Sequence, residues 1–500
     1  MIDPASPASI PGWRADRKLP LTEVPLPTRS PELLSRDIGR AAAARLGETG
    51  KQAVALLGNR TVWNINSTAR GGGVAELLRT TLPYWRGSAI GARWLVLQGS
   101  PAFFRLTKRL HNMLHGDGGL ARFGLAERTF FERVARVIGA EASGVVRAGD
   151  IVLLHDPQTA GLIPLLRSAG AVVIWRCHVG ADAPSPAAEA AWDFLLPYVA
   201  DADACVFTRR AFVPPGLDPR RVSVFAPAID PCSPKNQALP PATAQAILAH
   251  CGLVPSHRNG SSLSDRSVPL TWGGEAVVQR RCRVMREARP RGADRGRLVV
   301  ALSRWDHLKD PIGIMQAFAE HVDDPRARLI VAGPATVAVP DDPEGPAYLR
   351  AVRAAWAALP GRQRRRIDVA VLPMVDLDEN ALMVNALQSR AAVIVKKSVQ
   401  EGFGLGVTEA LWKARPVVAT RVGGQQDQIQ HRRTGLLVDD PHDLAGFGAA
   451  VNELLETPRE DLEFGAAGRN EVREHYLADT HLVHWMGVLR RAIDLAGAGR

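Results

Sequence analysis

The sequence has little of what marks secreted, zinc-binding or membrane proteins. Its five cysteines, an odd number, are scattered without C-x-x-C spacing and support neither a disulfide framework nor a zinc site. No apolar run approaches the length needed to cross a bilayer, and the Pro-, Ala- and Ser-rich segment 1–20 has no signal-peptide core. These absences predict a cytoplasmic protein with no membrane partner.

Aromatic residues are also scarce, at 6% of the chain. The formal net charge is +11, but the arginines are spread through Ala-rich helical segments such as 362–366, and no basic-aromatic stripe is present. This pattern is typical of solvated helix faces. We therefore expect no nucleic-acid partner.

What the sequence does have is a repeated alternation of apolar strands and helices. A chain of 500 residues with 46% hydrophobic residues can bury more than one core. Two alternating series, one on each side of a Ser-, Gly-, Arg- and Pro-rich segment, predict parallel sheets covered by helices. The predicted fold class is α/β, with two doubly wound Rossmann-like domains facing a central cleft.

The composition shifts along the chain predict domain boundaries. We expect an N-terminal extension (1–58), a first Rossmann-like domain (59–238), a linker with an insertion (239–297), a second Rossmann-like domain (298–480) and a C-terminal helix that could return to the first domain (481–500).

Two carboxylates frame a glycine-rich loop in the second series. Glu401 and Glu409 enclose seven residues that include three glycines, directly after the apolar run 391–395. A helix starting near Leu405 would present unsatisfied N–H groups and a positive dipole end to an anion. Carboxylates accept hydrogen bonds from sugar hydroxyls. The pattern favours a site for a phosphate and sugars, and the alternative is an ordinary tight connection.

Two cations follow the first strand of the second series. Arg304 and Lys309 would project from the carboxyl edge of the sheet, where they could neutralise a diphosphate. The alternative is that they form surface ion pairs with Asp306 and Asp310, which would contribute little.

The first domain offers a glycine turn and two histidines at strand ends. Gly71, Gly72 and Gly73 lie between a strand and a helix, but the turn is neither G-x-G-x-x-G nor a triphosphate-binding loop, so a structural turn stays an alternative. His155 and His178 each end a predicted strand, where a structural hydrogen-bonded role is the alternative to a ligand contact. The D-x-D pairs at 201–203 and 376–378 are expected in loops, and no metal is assigned.

Taken together, these motifs resemble the retaining glycosyltransferases of the GT-B type, which have two Rossmann-like domains, and more closely the trehalose glycosyltransferring synthases. The resemblance covers about residues 60–495 and is carried by the stretches 64–76, 155–161, 175–178, 227–231, 303–311, 401–409 and 422–427. The chain departs from the family in its insertion near 255–296 and in its N-terminal leader.

The resemblance implies transfer of glucose from a nucleoside diphosphate glucose to free glucose, which forms α,α-trehalose reversibly and with retention. It implies no cofactor or metal beyond the nucleoside diphosphate glucose co-substrate, and it is compatible with a homodimer. The alternatives are a trehalose phosphorylase or related glucosyltransferase with another acceptor, and a non-catalytic sugar-nucleotide sensor.

The resemblance also implies roles for individual residues, with the acceptor in the first domain and the nucleotide sugar in the second. The catalytic residues would be His178, Arg304, Lys309 and Glu401. The donor-binding residues would be Gly71, Gly72, Gly73, Arg304, Lys309, Gly402, Phe403, Gly404, Leu405 and Glu409. The acceptor-binding residues would be Asn66, His155, Asp156 and His178.

Overall fold

The computed structural model describes residues 20–70, 72–118, 122–255, 262–289, 296–336, 342–456 and 458–498. These residues fall into two compact units. Unit 1 comprises the described residues of Met1–Ala228, Val339–Pro343 and Ala478–Arg500, and unit 2 comprises those of Ile229–Ala338 and Glu344–Leu477. Among the described residues, no helix has the length and apolar character that a bilayer crossing requires.

Unit 1 contains one sheet with helices around it. Its strands are β1 (Leu21–Glu23), β2 (Val62–Asn66), β3 (Ala92–Leu97), β4 (Ile151–His155), β5 (Val172–Cys177), β6 (Ala204–Phe207) and β7 (Val222–Val224). Its α-helices are α1 (Ser35–Ile38), α2 (Arg40–Leu57), α3 (Gly73–Gly87), α4 (Pro101–Leu114), α5 (Leu125–Val145), α6 (Ile163–Ser168), α7 (Pro186–Val199) and, from the end of the chain, α17 (Ala478–Ala498).

The strands of unit 1 lie in the order β1-β3-β2-β4-β5-β6-β7. Only β1 in this sheet runs antiparallel to its neighbour, and the other described pairs are parallel. Every residue of β2, β4 and β5 is buried, as expected for parallel strands covered on both faces. The chain proceeds from β2 to β3 on one side and then to β4 on the other. The carboxyl ends of β2 and β4 therefore form a topological switch point, where α/β sheets bind ligands.

Unit 2 repeats this arrangement. Its strands are β8 (Ser267–Pro269), β9 (Glu275–Val277), β10 (Arg283–Met285), β11 (Leu298–Leu302), β12 (Arg328–Pro334), β13 (Ile367–Leu372), β14 (Val393–Lys396), β15 (Val417–Thr420) and β16 (Leu436–Val438). Its α-helices are α8 (Pro241–His250), α9 (Pro311–His321), α10 (Gly345–Ala358), α11 (Gly361–Arg364), α12 (Leu377–Arg390), α13 (Leu405–Trp412), α14 (Gln425–Gln428), α15 (Leu444–Glu456) and α16 (Pro458–His475).

The main sheet of unit 2 has the order β10-β13-β12-β11-β14-β15-β16, and β8 pairs with β9 in a separate hairpin. Here β10 is the antiparallel edge strand. Because the chain moves from β11 through β12 to β13 and then returns to β14 beside β11, the carboxyl ends of β11 and β14 form a second switch point.

The segment 239–297, predicted as a linker with an insertion, contributes α8 and β8 to β10 to unit 2 in its described parts. Arg286 and Arg289, just after β10, join Arg328 around the buried carboxylate of Asp368 on β13. Burial would raise the pKa of Asp368, but the hydrogen bond from Arg286 and the three guanidinium charges lower it. Strands of three residues are too short for a periodicity signal, so only this tertiary pairing defines them.

The end of the chain belongs to unit 1. Helix α17 packs against α2, and Trp485 of α17 makes an edge-to-face contact with Trp85, with ring centroids 6.0 Å apart. The helix therefore completes the apolar cover of the first sheet.

Candidate active site

The two predicted ligand motifs of unit 2 follow the strands that meet at its switch point. The cation motif follows β11 and the glycine loop follows β14. The backbone N–H of Val399 donates to the carbonyl of Leu308 at 2.8 Å and ties the two loops together. The loops that carry Lys309 and Glu401, about 90 residues apart in the sequence, therefore lie at the same edge of the sheet.

Lys309 and Glu401 form an ion pair in this place. The distance from Lys309 Nζ to Glu401 Oε1 is 2.6 Å, and the two side chains are 18% and 13% exposed. Ser398 Oγ donates to the other carboxylate oxygen at 3.2 Å. Arg304 lies in the same loop as Lys309 and is half-buried. Lys309 therefore pairs across the switch point, while Asp310, its expected surface partner in the alternative interpretation, pairs with Lys397.

The glycine loop has a backbone that side chains would disrupt. Gly404 has φ +86° and is the N-cap of α13, which begins at Leu405 as predicted. Gln428 Nε2 donates to the carbonyl of Phe403 at 2.7 Å, and Thr408 Oγ1 donates to Gln428 Oε1 at 2.6 Å. These buried bonds fix the loop against the first turn of the helix. Unsatisfied N–H groups at such a helix start suit an anion.

Glu409 lies one turn further into α13 and is almost fully buried. Its Oε1 is 2.8 Å from Lys235 Nζ, and its Oε2 accepts from Gln388 Nε2 at 2.8 Å. Burial would raise the pKa of Glu409, but the charges of Lys235 and Lys413 and the bonds from Lys235 and Gln388 lower it. Glu409 is therefore a buried carboxylate with a charged partner.

Three lysines near this site were missed by the sequence reasoning. Lys396 and Lys397 follow the buried run of β14 directly, so the strand-end argument applied to the histidines would have found them. Lys235 precedes α8 and reaches Glu409 from a distant part of the chain. No local pattern indicates that contact.

The switch point of unit 1 is lined with amides and imidazoles. Asn66 ends β2, and its Oδ1 accepts from Trp94 Nε1 at 2.8 Å while its Nδ2 donates to the carbonyl of Thr68 at 2.7 Å. His155 ends β4, with Nε2 3.2 Å from Asn64 Oδ1 and Nδ1 3.1 Å from His178 Nε2. Neutral side chains that donate and accept hydrogen bonds suit uncharged hydroxyl groups.

The backbone between the two histidines is strained. Asp156 has φ +63° and ψ 176°, a conformation that non-glycine residues rarely adopt. Its Oδ1 accepts from the backbone N–H of His178 at 2.8 Å, and its carbonyl accepts from Trp175 Nε1 at 3.2 Å. Asp156 thus ties the end of β4 to the end of β5 and fixes the position of His178.

Both imidazoles are held neutral. Burial and the charge of Arg176 lower the pKa of His155 to about 3. Burial, Arg176, His155 and His481 lower the pKa of His178 well below its ordinary value. Arg176 is itself buried on β5, stacked on Phe225 with its guanidinium carbon 4.7 Å from the ring centroid. These histidines therefore act as hydrogen-bonding groups near neutral pH.

Two of the three predicted glycines of unit 1 lie at the start of a helix. Gly72 is the N-cap of α3 and Gly73 its first residue, while Gly71 lies outside the described residues.

The two D-x-D pairs have structural partners. Arg167 bridges Asp201 and Asp203, with N–O distances of 2.7 and 3.2 Å. Asp376 caps α12 by accepting from the backbone N–H groups of Asp378 and Glu379.

Each of the two units has the Rossmann-like architecture found in glycosyltransferases of the GT-B class. The crystal structure of an α,α-trehalose-phosphate synthase (UDP-forming) from Burkholderia vietnamiensis has the same fold. It matches with a TM-score of 0.62 at 16% identity, over 88% of this chain and 98% of that one. The predicted α/β fold class with two doubly wound Rossmann-like domains is confirmed.

Sequence comparisons identify the family. Residues 64–214 match the family described as trehalose synthase, N-terminal domain, and residues 287–471 match glycosyl transferases group 1. A trehalose synthase of Rubrobacter xylanophilus is 34% identical over 86% of this chain and 90% of its own length. One of Pyrococcus horikoshii is 30% identical over 90% of this chain and 94% of its own length. The chain belongs to the trehalose synthase family and is a hexosyltransferase.

Proposed function

We propose that the protein transfers glucose from a nucleoside diphosphate glucose to the anomeric hydroxyl of free glucose, forming α,α-trehalose reversibly and with retention. Family membership supports the product. The observation that carries the proposal is the Lys309–Glu401 pair at the switch point of unit 2, beside the start of α13. It offers a cation for a diphosphate and a carboxylate for sugar hydroxyls within one site.

The donor is assigned to unit 2. Lys309 and Arg304 would bind the diphosphate, and Glu401 with the backbone of the loop to Leu405 would bind the glucosyl hydroxyls. Glu409 would bind the ribose, because a carboxylate that accepts one bond at each oxygen keeps further lone pairs. Gly72 and Gly73, at the start of α3, would offer N–H groups to an anion within unit 1.

The acceptor is assigned to unit 1. Asn66, His155, Asp156 and His178 would surround the glucose that receives the transfer. His155 uses both ring nitrogens on Asn64 and His178, so it would hold His178 in place, while the amide of Asn66 and the neutral imidazole of His178 would meet the sugar hydroxyls. His178 is only partly buried, and it would contact the acceptor glucose close to the hydroxyl group that reacts.

Retention of configuration at C1 of the transferred glucose is proposed to follow from a front-face attack. The acceptor oxygen would approach C1 from the same side that the diphosphate leaves. The bond from C1 to the phosphate oxygen breaks and leaves an oxocarbenium-like ion paired with the diphosphate. The acceptor oxygen then bonds to C1 on the same face, and its proton passes to the departing phosphate oxygen. Lys309 and Arg304 would stabilise the charge that grows on the diphosphate, so catalysis rests on positioning and electrostatics.

Product identification tests the proposal. Purified protein is incubated with glucose and, separately, with ADP-, UDP- or GDP-glucose, and products are separated by chromatography. We expect trehalose from at least one donor, and loss of that product in Lys309→Ala. The matched control is Lys51→Ala, an exposed lysine on α2. A wild-type protein that forms no trehalose from any donor would contradict the proposal.

The same assay separates the alternatives. A phosphorylase would form glucose 1-phosphate from trehalose and inorganic phosphate without a nucleotide. A glucosyltransferase with another acceptor would consume the donor only when that acceptor replaces glucose. A sensor would bind nucleoside diphosphate glucose without consuming it.

A further inference from the structure

Lys396 lies across the two strand ends of the unit 2 switch point. It is the last residue of β14, and β14 pairs with β11. Its Nζ donates to the carbonyl of Leu302, the last residue of β11. The amine is therefore held between the loops that carry Lys309 and Glu401.

The position of this amine depends on a glycine. A Cβ atom at Gly406 would lie 2.8 Å from Lys396 Cε, closer than real side-chain carbons approach. Gly406 is the second residue of α13. The lysine thus lies against the first turn of the helix, at the positive end of the helix dipole. A cation in that position is unfavourable unless an anion joins it.

Lys396 lies among two ion pairs. Lys309 pairs with Glu401, Lys235 pairs with Glu409, and the charges of all four act on Lys396. Lys396 therefore adds a further positive charge to two pairs that are already closed. Burial lowers the pKa of Lys396 to about 8, the carboxylates oppose this, and the other two lysines add to it.

We propose that Lys396 is a further binding residue for the diphosphate of the donor and that it takes up a proton from solvent when the diphosphate binds. This inference rests on the proposed function, because it assumes the same diphosphate. An anion beside an amine favours its charged form. At pH about 8, Lys396 is protonated in only a fraction of the protein molecules before the diphosphate binds. This fraction rises on binding.

Calorimetric titration of ADP, UDP and GDP tests the proposal. Each is titrated at pH about 8 in buffers of different ionisation enthalpy, and the slope of the observed enthalpy gives the protons taken up. We expect uptake of roughly half a proton by the wild type. The terminal phosphate titrates near pH 6 and contributes little. Lys396→Met should remove the uptake and weaken binding by about tenfold or more.

Two further variants keep the test interpretable. Lys51→Met should bind and take up protons like the wild type, because Lys51 is exposed on unit 1. Gly406→Ala keeps the charge but displaces the amine, so it should weaken binding and reduce the uptake. Alanine favours the helix, so Gly406→Ala also carries the test if Lys396→Met fails to fold. In the double variant, Gly406→Ala should add no further loss to that of Lys396→Met.

The outcomes separate this inference from the proposed function. If Lys396→Met and Gly406→Ala bind and take up protons like the wild type while Lys309→Ala loses binding, this inference alone is overturned. If the wild type binds none of the three diphosphates, the proposed function is overturned and the inference with it.

Discussion

In unit 1 the strands that meet at the switch point end in Asn66 and His155, whereas in unit 2 they end in Leu302 and Lys396 and lead into loops with Lys309 and Glu401. The sheets share a topology of parallel strands with one antiparallel edge strand. Their strand ends differ in charge: unit 1 holds neutral imidazoles, and unit 2 holds lysines paired with carboxylates.

The sheet topology therefore sets where a ligand site lies, while the residues that follow the strands set what the site can bind. Neutral hydrogen-bonding groups suit the hydroxyls of a sugar acceptor, and cations beside a helix start suit a diphosphate. Four predictions test this division, ordered from the largest expected effect to the smallest.

Glu409→Gln should have the largest effect, because it removes the charge that pairs with Lys235 inside unit 2. Breaking a buried pair by removing one partner costs about 3 kcal/mol or more of the free energy of unfolding. Because the pKa of Glu409 is lowered, this contribution is present near neutral pH and is lost as the pH falls through the lowered pKa. Urea unfolding at pH about 7 and titration of the nucleoside diphosphate measure stability and binding.

The matched control is Glu474→Gln, whose side chain is 69% exposed and should tolerate the change. Equal stability and equal diphosphate affinity for Glu409→Gln and wild type would remove Glu409 from both roles.

Lys309→Ala and Arg304→Ala should each lower turnover by on the order of 10²-fold while leaving the fold intact. Each removes positive charge where negative charge would grow on the leaving diphosphate. Steady-state turnover beside a thermal melt measures both properties. Lys51→Ala and Arg350→Ala, exposed on α2 and α10, are the controls. Near-normal turnover in both site variants would mean that the unit 2 cations do not act in transfer.

His178→Ala should lower transfer by about tenfold, the usual scale for an uncharged hydrogen-bonding group. Its affinity for the nucleoside diphosphate should stay that of the wild type, since we propose that the donor binds unit 2. Turnover and calorimetric affinity are compared with those of His442→Ala, an exposed histidine. A parallel loss of nucleotide affinity would break the proposed division between the units.

The smallest expected effect is the pH dependence of the stability of unit 1, which contains the buried neutral histidines. The pKa of His155 is lowered to about 3, so the unfolded chain binds more protons below pH about 6.5. The stabilisation that His155 contributes is fully present above that pH and is lost by about 1 kcal/mol per pH unit on acidification, and His178 and His481 add slopes of the same sign. Hydrogen exchange of β4 and β5 at pH about 7 and 5.5 measures this slope. His155→Gln should reduce it, and an unchanged slope would count against burial of the neutral imidazole.

Much of the fold could be predicted because its central strands are buried along their whole length. The apolar runs at β4 and β11 match the predicted strands, since parallel strands covered on both faces leave continuous hydrophobic sequence. The edge strands β1 and β10 were missed. They have three residues each and pair antiparallel through tertiary contact alone.

The candidate site divides in the same way. The sequence predicted that His155 and Lys309 lie at the carboxyl edges of their sheets, and the topology then brings His178 and Glu401 beside them. Their roles in binding stay predictions. The contact from Lys235 to Glu409 joins residues 174 positions apart and has no local signal. Lys396 was missed because the predicted strand ended with the apolar run at Val395, one residue before the end of β14.

The most direct test of the account is NMR of the product made from ¹³C-labelled glucose and an unlabelled nucleoside diphosphate glucose. The account predicts α,α-trehalose labelled in one ring only, with an α linkage at the unlabelled ring that came from the donor. A β-configured donor ring, or release of unlabelled glucose without a disaccharide, would contradict it.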